Sequence, residues 1–380
     1  MDWIPVVMRA SAPWDVSREL SGGARHGPQA AVLSARVRCY VIGGQPGKEA
    51  AMAVHVEQAP DFAALPDPLG LGGAPRRVGV EIEFGGLDTR RAGELVQARF
   101  GGRLEVSGPQ DVRVRGTKHG DFEIYLDARW RDAADTPLKK AGLELGRAVI
   151  PVEIVTPPLP VAALPDLERL RADLRAAGAL GSRDGLLLGF GLHFNPEVPA
   201  LEGTAPVHIL TAFALIEDWL RKRNPIDISR RLLPFTDPYP RSLIDALADG
   251  WPDLDLDGLF DVYAAHRPSR NRGLDMLPLL AHLDRARFDR LFGDQGKLRA
   301  RPTFHYRLPD CRIDEPGYSL AAEWNQWVLV ERVAADAEAM ADLTVGWDAH
   351  RNAFLSLRPD WARQSGEILR AHGHAGAQDP

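Results

Sequence analysis

Residues 78–84 read VGVEIEF, and this stretch limits the fold more than any other part of the chain. Side chains on a strand alternate between its two faces, so Glu81 and Glu83 project to one side while Val80, Ile82 and Phe84 project to the other. The two glutamate Cα atoms then lie about 6–7 Å apart along the strand. The apolar side needs a core to cover it. The acidic side is unsuited to a core and has the right chemistry for a divalent cation. An isolated E-x-E on a strand is most often a solvated face, so the pattern gains weight only if it recurs.

It does recur. In DFEIYLD, residues 121–127, Glu123, Tyr125 and Asp127 share a face by the period of two. Glu153 stands in the otherwise apolar PVEIV before a double proline, and His193 and Asn195 share a face in GLHFN. Four strands thus offer oxygen or imidazole donors to a common side. Helical signals lie between them. Asp88 is placed to cap a helix with apolar positions Ala92, Leu95, Val96 and Phe100, closed by Gly101 and Gly102. Leu167, Leu170 and Leu174 fall on one helical face, residues 206–292 are mostly helical in pattern, and Trp324 and Trp327 at i, i+3 read as core. The fold class is α+β, with one sheet face packed and the other exposed as a working surface.

Composition narrows the function classes. The chain has 380 residues, 45% hydrophobic and 26% charged, with a net charge of −6 and both signs interspersed, which gives no basic footprint for nucleic acid. Cys39 and Cys311 form neither a disulfide framework nor a zinc spacing. No secretory leader or membrane-length apolar run is read, so a cytoplasmic protein without membrane partners is expected. Residues 1–75 are rich in Ala, Gly, Arg and Pro without sustained periodicity, and are expected to be an irregular extension. Residues 1–51, before Met52, should be dispensable. Within them VIGGQPGK imitates a phosphate loop, but only three residues separate Gly43 from Gly47 and Glu49 stands where a metal-binding hydroxyl is needed. A catalytic domain is expected over 76–375, with a helical insertion at about 205–295.

The ordered series GVEIEF, GDFEIYLD, VEIVTPPL, GLHFN and RNRGLDMLPLL, between Arg76 and Trp327, resembles the amidoligase family, which is related to glutamine synthetase and gamma-glutamylcysteine ligase. The resemblance implies a glutamine-synthetase-like catalytic domain, a mainly antiparallel sheet with helices behind it, that binds ATP and Mg2+ or Mn2+ on its acid-lined face. It also implies the chemistry: a carboxylate takes the γ-phosphoryl group of ATP, and an amine displaces phosphate from the acyl phosphate. The metal ligands implied are Glu81, Glu83, Glu123, Asp127, Glu153 and His193. Many relatives carry a second histidine where this chain has Asn195, which accepts hydrogen bonds but ligates metal poorly. His193, Asn195, Arg272 and Arg301 are the implied nucleotide contacts. Arg307 or Arg312 would face the phosphate being transferred, beside the catalytic Glu81 and Glu83, and the sequence leaves that choice open. Arg267, Arg270 and Asn271 add donors for an anion, whereas Lys118 and His119 read as a solvated turn. The partners expected are a small-molecule or peptide carboxylate and an amine, with ammonia from a glutamine amidotransferase as one source. The alternatives are a metal-dependent hydrolase and a non-catalytic nucleotide-binding descendant of the ligase fold.

Overall fold

The computed structural model describes strands 35–41 and 52–58 and residues 61–108, 111–126, 151–182, 189–227, 230, 236–266, 269–295, 298–377 and 379. The chain divides into two units, Met1–Asp61 and Phe62–Pro380. In the first, β1 (Ala35–Val41) pairs antiparallel with β2 (Met52–Gln58), in register from Ala35 opposite Gln58 to Val41 opposite Met52. This hairpin lies within the stretch read as irregular, and the reason is local: ARVRCYV and MAVHVEQ each alternate β-branched or aromatic residues with polar ones over a few positions. The phosphate-loop imitation and most of residues 1–51 fall outside the described residues.

In the second unit, segment 62–75 is tied down rather than loose. Ala63 N donates to Asn325 Oδ1 and Ala63 O accepts from Trp324 Nε1, both at 2.8 Å. The sheet that follows comprises β3 (Arg77–Phe84), β4 (Arg103–Gly108), β5 (Asp111–Thr117), β6 (Gly120–Leu126), β7 (Val152–Val155), β8 (Leu159–Pro160) and β9 (Leu192–Pro196). Its order is β4-β5-β6-β7-β3, with β8 and β9 also on β3, and every pairing is antiparallel. Segment 302–311 runs along the free edge of β9, exchanging hydrogen bonds between Phe194 and Tyr306, and Gly273 and Asp275 pair with its outer side.

Ten α-helices lie among the described residues. On the apolar face, α1 (Thr89–Phe100) starts where Asp88 accepts from Arg91 N at 2.7 Å. It stops at Gly101 and Gly102, both at positive φ, which only glycine adopts without strain. Its Gly93 sits so close to the sheet that a Cβ there would meet Leu104 Cδ1 at 2.7 Å and Val112 Cγ1 at 2.8 Å. Helix α2 (Leu164–Ala176) buries Leu167, Leu170 and Leu174 as their spacing requires. Then come α3 (Ala205–Arg223), α4 (Arg241–Gly250), α5 (Leu256–Ala265), α6 (Leu277–Leu283) and α7 (Arg285–Phe292). Helices α8 (Leu320–Ala335), α9 (Ala337–Asn352) and α10 (Arg358–Ala371) complete the unit. Val78, Val80, Ile82 and Phe84 are wholly buried between sheet and helices, and Trp324 of α8 meets Phe194 of β9 edge-on at 5.6 Å. Trp324 and Trp327 are both core.

The acidic face is only partly open. Arg103, Arg115 and Asp121 on the β4–β6 side are exposed, but Glu81, Glu83, Glu153 and His193 are buried. Over β3, β7 and β9, the expectation of a uniformly exposed working face therefore gives way to an enclosed polar chamber. The cause is the 301–307 segment, whose Arg301 and His305 reach back to Asn195 and Glu81.

Candidate active site

The chamber is built by register. Glu83 stands directly opposite Glu153 on β7, Glu81 opposite His193 on β9, and Gly79 opposite Asn195, so all five polar side chains emerge on one face. Glu83 Oε2 accepts from Gly191 N at 2.8 Å. Residue 191 must be glycine for this approach, since a Cβ there would lie 2.5 Å from His193 Nε2. His193 Nδ1 donates to Glu81 Oε2 at 2.9 Å, Asn195 Nδ2 donates to Glu81 Oε1 at 2.9 Å, and Arg301 Nη2 reaches the same Oε1 at 3.2 Å. His305 Nδ1 lies 2.5 Å from Asn195 Oδ1, and Arg301 Nη2 donates to that same oxygen at 2.9 Å.

These contacts decide what each group can offer. With Nδ1 of His193 and of His305 engaged as donors, each ring keeps the lone pair of Nε2. Burial pulls both imidazoles below their ordinary value, His305 strongly, against the pull of Glu81 on both and of Glu83 on His193. Both are therefore neutral at pH 7, the form that binds metal. Burial works against ionisation of Glu81, yet His305, His193 and Arg301 hold it well below the carboxylate range. Since His305 is itself driven neutral, the durable contributors are the hydrogen bond from His193 and the charge of Arg301. Burial likewise raises Asp275, behind Arg307 and Arg270, to about 6.

Two groups of potential ligand atoms lie within 4.8 Å of one another: Glu83, Glu153 and His193, and Glu81, His193 and His305. The first has the spacing that a divalent cation needs. His193 Nε2 is 3.8 Å from Glu83 Oε1, a gap that two bonds of about 2.1 Å to one cation span. Two buried carboxylates in direct cross-strand register also repel, and a cation between them removes that cost. The two carboxylates suit a hard cation such as Mg2+ or Mn2+, and the imidazole suits transition metals such as Zn2+ as well. In the second group both Glu81 oxygens already accept hydrogen bonds, so metal binding there requires their exchange. As arranged, Glu81 holds the His193 ring by its Nδ1 and so sets the direction of Nε2.

The remaining candidates separate cleanly. Arg301 and Arg307 join the chamber: the Arg307 charge acts on His193, His305 and Asp275, and its Nη1 donates to Arg270 O. Arg312 does not, because its Nη2 donates to Pro225 O at 2.5 Å and lies 3.4 Å from Asp310. Arg272 donates to Pro238 O at 2.7 Å. Glu123 shares the face but is in neither ligand group, and its carboxylate lies between Arg113 and Arg299. Asp127 and Arg267 lie outside the described residues. Lys118 and His119 pair with Asp166 at 2.6 and 3.2 Å, as a turn would. His305 was overlooked, although the alternation in TFHYRL puts it on the same face as Arg307. Arg270 stood among the donors expected for an anion, whereas Asp275 gave no comparable signal.

No curated protein and no solved structure matches the chain. A family model described as "putative amidoligase enzyme" matches residues 74–329, which contain β3 to β9 and every chamber residue named above. With most of its length matched and the chamber inside the match, the chain belongs to the amidoligase family.

Proposed function

We propose that the protein is an ATP-dependent carboxylate–amine ligase that forms an amide through an acyl phosphate, with Mg2+ or Mn2+ as the metal. The observation that carries the reading is the chamber itself, within a chain of this family: Glu83, Glu153 and the Nε2 of His193 in ligand range, with Arg301 and Arg307 on the same face. Glu83, Glu153 and His193 would hold a divalent cation, which supplies charge neutralisation along a triphosphate. Glu81 and Asn195 fix the ring of His193 and the guanidinium of Arg301. Arg301 and Arg307 present planar donors where charge grows on the phosphoryl oxygens during transfer. Burial of the chamber keeps water from the activated acyl group. The second substrate is an amine, or ammonia delivered by a separate amidotransferase.

The test is nucleotide turnover over pools of carboxylates and amines, with hydroxylamine added in place of the amine. ADP release with hydroxamate formation is expected, and Arg307→Lys should lower turnover at least about tenfold more than it weakens ATP binding. Product AMP, or amide hydrolysis at full rate without nucleotide, would refute the reading; the latter would favour a metal-dependent hydrolase.

A further inference from the structure

Beside the chamber, on the same sheet face, lies a cleft of about 210 Å³ whose lining includes Arg113, Arg115, Asp121, Glu123, Val155 and Arg299. Its charges fall into two kinds. Arg115 and Asp121 are saturated: Arg115 pairs with Glu105 at 2.6 Å and with Asp121 at 3.0 Å, and Asp121 also accepts from Gly116 N at 2.8 Å. The other three are only loosely paired, the one hydrogen bond among them being the long contact from Arg299 Nη1 to Glu123 Oε2. Arg113 Nη2 is 3.8 Å from Glu123 Oε1 and its Nε is 3.7 Å from Asp111 Oδ1, both beyond hydrogen-bond range, and this Nε is buried without a hydrogen-bond partner. Arg299, whose side chain is 74% exposed, touches Glu123 only at 3.4 Å. Two guanidinium groups thus flank one carboxylate in stretched pairs that a ligand carrying both charges could close.

We propose that this cleft binds the head group of a free α-amino acid, with its carboxylate on Arg113 and Arg299 and its ammonium on Glu123. The volume suits a small metabolite rather than a nucleotide. Bidentate guanidinium contacts recognise a carboxylate, and the lone carboxylate between them recognises the adjacent ammonium. The location gives the head group its purpose. Glu123 stands opposite Val155, which stands opposite Glu81, so cleft and chamber are two strand spacings apart, about 10 Å. An amino acid anchored by its head can extend its side chain over Val155 to the chamber. The role of the amino acid as one of the two joined substrates rests on the ligase reading; its binding does not.

The experiment is calorimetric titration of the full chain with each proteinogenic L-amino acid, with and without Mg-ATP. At least one should bind saturably. Its methyl ester and its des-amino analogue should each bind at least about tenfold more weakly, the scale of a lost charge-assisted hydrogen bond. Arg113→Gln and the exposed Arg299→Gln should each weaken it by a similar factor while Mg-ATP affinity stays within about threefold. Glu123→Gln should abolish the preference for the amino acid over the des-amino analogue. The proposal falls if no amino acid binds, if both arginine variants bind as the wild type does, or if the des-amino analogue binds equally well. Arginine-dependent amino-acid binding in a protein that never binds Mg-ATP would keep the cleft and sink the ligase reading; ADP release with silent cleft variants would do the reverse.

Discussion

Replacing Glu83 by Gln should stabilise the protein without metal and remove its response to metal. Glu83 faces Glu153 in direct register, both carboxylates are buried, and an oxygen of each lies within 4.8 Å of the other. At that separation, with an effective dielectric of about 20, two like charges repel by about 3 kcal/mol. Gln retains an oxygen to accept from Gly191 N, but gives up about 1 kcal/mol as that bond loses its charge. The net gain for the metal-free protein is therefore about 2 kcal/mol, or a few degrees in melting temperature. Wild type should gain stability as Mn2+ or Mg2+ is added, because binding to the folded state alone stabilises by mass action. The Gln variant should start higher and not move. Urea denaturation with chelator and with a Mn2+ series reads both quantities. A variant less stable than wild type in chelator, or one with an undiminished metal response, would refute the reasoning.

Two further outcomes concern the scaffold. Burial raises Glu323 from its ordinary 4.5 to about 7, opposed by Arg312 and by hydrogen bonds from Asn224 Nδ2. The folded state thus holds the proton more tightly than the unfolded one. That contribution is complete below pH 4.5 and is lost as pH rises through 7, in total about 3 kcal/mol. Denaturation of wild type and Glu323→Gln at pH 5 and pH 9 should show wild type losing more stability over the interval; parallel curves would contradict the assignment. Separately, Arg76 forms a buried two-bond pair with Glu331 at 2.7 Å, and Trp327 Nε1 also donates to Glu331. Arg76→Ala strands that carboxylate and should cost about 3–5 kcal/mol, while Arg76→Met with Glu331→Leu should cost far less. Equal losses in a chemical-denaturation comparison would show that packing, not charge pairing, matters there.

What the sequence settled by itself is local. A period of two placed Glu81 with Glu83, Glu123 with Tyr125, and His193 with Asn195, because alternation is a property of one strand's backbone. Asp88, Gly101 and the leucines of α2 set helix ends and a buried face for the same reason. Which strands become neighbours is a different matter. That Glu83 meets Glu153 rather than Glu123 follows from β7 inserting between β3 and β6, a pairing between segments far apart in the chain. The enclosed chamber depends on segment 301–307 returning more than a hundred residues later to pair with β9. Arg307 and Arg312 also waited on the tertiary structure. Five residues apart, they would fall on opposite faces of a regular strand, but Pro309 interrupts the alternation and parity could not be carried through it. Glu123 was legible as a member of the acid face, and its setting between two arginines was not, since Arg113 and Arg299 reach it from a neighbouring strand and from a distant loop. Local periodicity fixes the direction in which a side chain points, whereas its neighbours are chosen by the long-range burial of the opposite, apolar face.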